Sequence, residues 1–207
     1  NYSSWSLRIW LLMKVAGIEF EEKIIPIYTQ EGKAELQALS AAAKVPLLFA
    51  NEQMIWDSLA IAEYLAEQHP EKALWPLAND SRAIARAVTS EMHSGFAELR
   101  DALPMNCRKV TTLDTVSESL QMDIDRICQI WRDCREQFGQ QGDFLFSNFS
   151  IADAFYAPIA MRFYSYGIVV GKEERQYMDT LLALNALQEW IAISKQDDLF
   201  VERYEQV

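Results

Sequence analysis

The chain has 207 residues, half of them hydrophobic, and carries 30 acidic against 19 basic side chains for a formal net charge of −11. That balance argues against nucleic acid as a partner, because phosphate binding needs a basic surface. The length is enough for one large domain or two small ones with real cores. No apolar run reaches membrane-spanning length and no signal peptide is visible, so a soluble, cytoplasmic protein without a membrane partner is expected. The three cysteines, Cys107, Cys128 and Cys134, lack CxxC spacing and lie in helical-looking sequence, which predicts buried, unpaired thiols. Two histidines, His69 and His93, with no ligand-like residues around them give no basis for a metal site.

The chain begins in a loop, Asn1 to Ser3. Leu7, Trp10, Leu11 and Val15 then recur at helical spacing and Gly17 closes the helix. The serines ahead of it, Ser3, Ser4 and Ser6, suit an N-cap. Glu22 to Ile27 reads as a strand, with Pro26 placing it at an edge. A polar loop through Thr29 and Gly32 leads to a short helix near Lys33 to Leu39. Proline restricts the residue before it to extended geometry, so Val45-Pro46 opens a strand, Leu47 to Phe49. A turn at Asn51-Glu52 and a second run, Met54 to Trp56, make a hairpin. If the Val45-Pro46 bond is cis, as proline allows, the backbone of Val45 turns sideways and can pair with an extended peptide. Asp57-Ser58 then starts a helix, Leu59 to Gln68, and sets a carboxylate and a hydroxyl beside free N–H groups, a corner able to hold the charged end of an amino-acid-like ligand.

His69-Pro70, Trp75-Pro76 and Asn79-Asp80-Ser81 read as a linker. Beyond it, Ile84, Val88, Met92 and Phe96 mark one face of a long helix ending at Pro104. A second runs from Ser117 to Phe138 with Leu120, Ile124, Ile127, Trp131 and Cys134 inward. Ser150-Ile151-Ala152-Asp153 forms a capping box in which Asp stands where Glu or Gln is usual, and Pro158 should bend the helix it opens. Segments near Glu173 to Leu184 and Asn185 to Ile193 complete a bundle.

The serine run with Arg8, the Val-Pro and Asp-Ser pair, and the S-I-A-D helix together resemble the glutathione S-transferase family, the serine run being similar to the S-S-x-S-x-R of its zeta class. Trp5 stands where the zeta pattern has cysteine. The resemblance implies an α/β plus all-α architecture: a thioredoxin-like domain over residues 1–69 whose first strand lies upstream of, or is missing from, this sequence, a linker over 70–80 and a helical domain over 81–207. It implies a homodimer, and glutathione as co-substrate, bound through Lys44, Val45, Pro46, Asp57 and Ser58. The γ-glutamyl end would sit at Asp57-Ser58 and the cysteinyl backbone on Val45, with Lys33 a further contact at the glycine end. A hydroxyl of Ser3 or Ser4 would hold the glutathione sulfur as thiolate, the zeta-like alignment favouring Ser3 and proximity to the helix favouring Ser4. Tyr2 is the rival donor, since other classes use a tyrosine in this loop. Lowering a thiol pKa by about two units takes roughly 2.7 kcal/mol, within reach of a hydroxyl and a helix N-terminus together. A small hydrophobic or electrophilic substrate would meet Trp5, Met92, His93, Phe96 and Arg100. The expected function is a glutathione transferase or a related isomerase. A non-catalytic binding or regulatory module is the alternative, and a thiol-disulfide exchanger is disfavoured by the missing loop cysteine.

Overall fold

A computed structural model describes residues 1–205. The chain forms α1 (Ser4–Ala16), α2 (Gln30–Leu39), β1 (Leu48–Ala50), β2 (Gln53–Ile55), α3 (Ser58–Gln68), a 3-10 turn (Pro70–Lys72), α4 (Asn79–Ser94), α5 (Ala97–Ala102), α6 (Glu118–Phe138), α7 (Ile151–Ser165), α8 (Lys172–Leu182), α9 (Asn185–Gln196) and α10 (Glu202–Glu205). A small α/β unit is thus followed by a helical bundle.

The expected hairpin is present. β1 and β2 pair antiparallel with Leu48 opposite Ile55 and Ala50 opposite Gln53. Asn51 and Glu52 both take positive φ, 48° and 65°, the backbone that lets a two-residue loop follow the twist of its strands. Val45-Pro46 is cis, as is Trp56-Asp57, and pairing starts only at Leu48, two residues beyond the proline.

Residues 22–27 correct the expectation of a strand. No segment pairs with them among the described residues, and their backbone groups turn inward on themselves. The Ile27 amide donates to the Ile25 carbonyl (2.9 Å), and the Pro26 carbonyl accepts from the Thr29 amide (2.9 Å) and hydroxyl (3.0 Å). A turn that uses these groups takes them out of any ladder, and Ile24 stands 77% exposed.

The long helix expected up to Pro104 is broken. α4 ends at Gly95, whose amide donates to Glu91 O, and Phe96 takes a left-handed φ of 60° before α5 begins. Arg100 closes the break: its Nε donates to the Gly95 carbonyl (2.9 Å) and its Nη2 to that of Met92. A guanidinium on the last carbonyls of a helix satisfies orphan acceptors and complements the dipole.

The bundle is built around α7, against which α1, α4 and α8 pack. Every residue of α7 but Tyr164 is buried, as a helix apolar all round requires. Its start carries the capping box foreseen from S-I-A-D. The Asp153 carboxylate accepts from the Ser150 amide (2.8 Å), the Ser150 hydroxyl (2.9 Å), the Leu145 amide (3.1 Å) and the Tyr177 hydroxyl (2.9 Å). Complete burial nevertheless pushes its pKa up to about 6, because desolvation disfavours the charged form.

α1 belongs to both halves of the molecule, packing on α3, α7 and α9. The end of the described chain returns to its start. The Tyr2 hydroxyl donates to Glu205 (2.5 Å), Arg108 pairs with the same carboxylate (2.8 Å), and the Tyr2 ring meets those of Tyr28 and Tyr204 at 6.0 and 5.4 Å.

Candidate active site

The start of α1 is set by Ser3. Its Oγ accepts from the Ser6 amide (3.2 Å) and its hydroxyl donates to Ser6 Oγ (2.9 Å), so Ser3 is the N-cap and is half-buried. Ser4 is the first helical residue, buried at 5% exposure, and its Oγ accepts from Arg162 Nη2 at 3.3 Å. The two candidate hydroxyls therefore occupy different surroundings, one at the helix mouth and one beneath it. Tyr2 is committed to the carboxyl-terminal cluster.

At the start of α3, Asp57 Oδ1 accepts from the amides of Leu59 (2.9 Å) and Ala60 (3.3 Å). This capping role, foreseen from Asp57-Ser58, is joined by another contact: Oδ2 lies 3.1 Å from His93 Nε2 on α4. Ser58 is fully buried and its hydroxyl has no partner among the described residues. Val45 and Pro46 lie half-buried outside any strand, and the Val45 backbone forms no hydrogen bond within the described residues. Lys44 beside them is exposed, as is Lys33 on α2.

The residues expected around a substrate divide into two groups. Trp5, His93 and Arg100 come together. The Trp5 ring meets His93 edge-on at 5.2 Å and lies 5.0 Å from the Arg100 guanidinium carbon. Met92, with no exposure, and Phe96, at 8%, belong to the core. Burial pushes the His93 pKa below its ordinary value; Asp57 opposes that shift, while the Arg8 and Arg100 cations reinforce it.

Two arginines were not assigned a role from sequence. Arg8, on α1, has no exposure; its Nε and Nη1 have no partner among the described residues, and its guanidinium carbon lies 4.3 Å from the Trp5 ring centre and 4.7 Å from that of Phe155. Burial, reinforced by Arg100 and Arg162, lowers its pKa to about 9, which leaves it charged at neutral pH. Arg162, on α7, donates to Ser4 and to the Leu103 carbonyl. The available signal was a single charge inside an apolar run, Leu7-Arg8-Ile9-Trp10 and Ala160-Met161-Arg162-Phe163. Such a charge is kept only when something needs it.

A depression of about 980 Å³ against Trp10, Phe20 and Glu189 is lined by none of these site residues. Among the described residues no group of His, Cys, Asp and Glu could hold a metal ion, and no helix is long and apolar enough to cross a membrane.

This architecture, a small α/β unit leading into a bundle on a buried central helix, is the glutathione transferase fold. A glutathione transferase homolog from Burkholderia GL BGR1, crystallised with bound glutathione, superposes with a TM-score of 0.71 over 94% of both chains at 22% identity. Ure2p in complex with glutathione superposes at 0.68. Residues 2–68 match the family described as Glutathione S-transferase, N-terminal domain. Among curated proteins, the chain is 39% identical over 98 residues to a probable maleylacetoacetate isomerase of Caenorhabditis elegans, covering 47% of this chain and 45% of that one. It is 32% identical over 104 residues to Glutathione S-transferase 1 of Dianthus caryophyllus, covering 50% and 46%. The chain thus spans about half the length of the curated relatives it matches.

Proposed function

We propose that this chain is a glutathione-dependent enzyme that activates the glutathione thiol for attack on a small electrophile, as a transferase or as an isomerase. The observation that carries this reading is the line of contact from Trp5 to His93 (5.2 Å) and from His93 to Asp57 (3.1 Å), which brings the beginnings of α1 and α3 to one place. One helix mouth offers hydroxyls and the other a carboxylate, so a single peptide ligand can be held at both.

In this reading the γ-glutamyl ammonium pairs with Asp57, and the γ-glutamyl carboxylate meets the open Ser58 hydroxyl and the α3 N-terminus. The cysteinyl amide and carbonyl pair with Val45 beside Pro46, and Lys44 faces a ligand carboxylate. Ser3 or Ser4 donates to the sulfur. Catalysis is then chiefly positioning and thiolate stabilisation. Trp5, His93 and Arg100 face the electrophile, while Met92 and Phe96 support that wall from the core. The names of the similar proteins support both chemistries, transferase and isomerase.

Residues 1–69 and 81–207 act here as two domains of a cytoplasmic homodimer. Phe49 and Trp56, 60% and 50% exposed, are apolar surface that a second copy would cover. Light scattering on the purified chain measures that assembly. Retention on immobilised glutathione, followed by turnover of 1-chloro-2,4-dinitrobenzene and of a cis-dienoic keto acid, tests the function. A chain neither retained nor active with either compound refutes it.

A further inference from the structure

Three polar atoms around Trp5 are buried without a partner among the described residues: Nε and Nη1 of Arg8, and Nδ1 of His93. They share the same aromatic walls. The Arg8 guanidinium lies over Trp5 and Phe155, and the His93 ring meets those two rings at 5.2 and 6.2 Å. Leaving a buried polar atom unpaired is costly, so donors and an acceptor left open between the same walls point to a group that gives one hydrogen bond and takes another.

The contact with Asp57 fixes which nitrogen is the acceptor. An ionised carboxylate only accepts, so the proton of the neutral imidazole lies on Nε2 and the lone pair on Nδ1. The charged groups facing His93 are Asp57 at the start of α3, Arg8 on α1 and Arg100 on α5; α7 contributes only the Phe155 ring. Two cations and burial keep the ring neutral, and the one anion holds its orientation.

We propose that His93 Nδ1 is the base that takes the glutathione thiol proton, with Asp57 orienting the imidazole through Nε2–H and Arg8 facing the thiolate that forms. This rests on the glutathione-dependent reading above. The S–H bond breaks, its electron pair stays on sulfur, and the proton moves to Nδ1, leaving an imidazolium paired with the Asp57 carboxylate. When the thiolate adds to the electrophile, the same proton passes to the atom that gains the electron pair, or to water, and the ring returns to neutral. The serine hydroxyl plays a different part, donating to the sulfur and taking no proton from it.

The test uses the full chain and its H93Q and H93A variants. Glutamine places an amide N–H where Nε2–H stood, so H93Q keeps the hold on Asp57 and has no basic nitrogen. Glutathione binding by calorimetry, kcat/KM with 1-chloro-2,4-dinitrobenzene against pH, and ultraviolet titration of the bound thiol are measured for each. H93Q is expected to bind glutathione as the unmodified chain does, with kcat/KM about 100-fold lower at neutral pH, the scale of a lost general base. Its rate should recover as pH rises and the thiol ionises unaided, and its bound thiol should titrate higher. H93A should lose binding as well. If H93Q keeps the original rate and pH profile, His93 only positions Asp57 and the proposal is overturned while the functional reading stands. If the unmodified chain binds no glutathione, both fall.

Discussion

Asp57 serves as a helix cap on one oxygen and faces His93 with the other, and the proposed function adds a ligand ammonium to that carboxylate. Asp57→Asn separates these roles. Asparagine is as good an N-cap as aspartate, and its Oδ1 can still accept from Leu59 and Ala60, so unfolding free energy should change by less than about 0.5 kcal/mol. The amide carries no charge, and its NH2, standing where Oδ2 was, is a donor that cannot accept from the ammonium, so that bond is lost. Charge-assisted bonds contribute about 1.5–3 kcal/mol; with the Asp57 side chain 54% exposed, solvent screening favours the lower end. About 1.5 kcal/mol corresponds to roughly tenfold in the dissociation constant. Asp57→Ala removes the cap as well and should cost about 1 kcal/mol of stability in addition to the affinity. Calorimetric titration with glutathione and urea denaturation measure the two quantities independently. The reasoning is refuted if D57N binds glutathione like the unmodified chain, or if it is destabilised as much as D57A.

Replacing Ser3 or Ser4 by alanine should leave glutathione binding nearly intact and abolish turnover in only one of the two, which identifies the donor; loss of the Ser3 cap should also lower stability by about 1 kcal/mol, read from urea midpoints. Arg8→Met removes a buried cation with unpaired nitrogens while roughly conserving volume. It should leave the thermal midpoint of the free protein equal or higher and suppress turnover, whereas a fall of several degrees would show that the charge is structural. For Asp153 the pKa is higher in the folded chain, about 6, than in the unfolded one, about 3.9. The folded state therefore holds the proton longer, and the carboxyl's contribution makes unfolding free energy fall as pH rises from about 4 to 6, by about 3 kcal/mol in all. Asp153→Asn should flatten that part of the pH–stability curve, and an unchanged slope would refute the assignment.

Much of this was legible because it is written in local chemistry. Ser3 and Asp57 act as caps ahead of apolar periodicity, Gly17 takes the left-handed stop, and Ser150 with Asp153 forms its box, each being a short-range rule visible in four or five residues. The hairpin followed from Val45-Pro46 and the Asn51-Glu52 turn in the same way. What was not legible depended on distant partners. Residues 22–27 have the composition of a strand, but a strand exists only through a neighbour, and composition does not say whether one is there. The break at Gly95-Phe96 is held by Arg100 reaching back to close α4, a contact that helical periodicity does not report. Arg8 meets Trp5 and Phe155, and Arg162 meets Ser4, because α1 and α7 pack together, and His93 reaches Asp57 because α4 passes the mouth of α3. The sequence placed those residues on helices; only the packing showed which helix starts they share.

The knot of Tyr2, Arg108 and Glu205 joins residues that are about as far apart in the chain as two positions can be. It splices the described tail to the loop that carries Ser3 and Ser4, so residues 199–205 bear on the geometry of those hydroxyls. A substitution at Arg108 or Glu205 therefore presses on the loop that carries the two candidate hydroxyls.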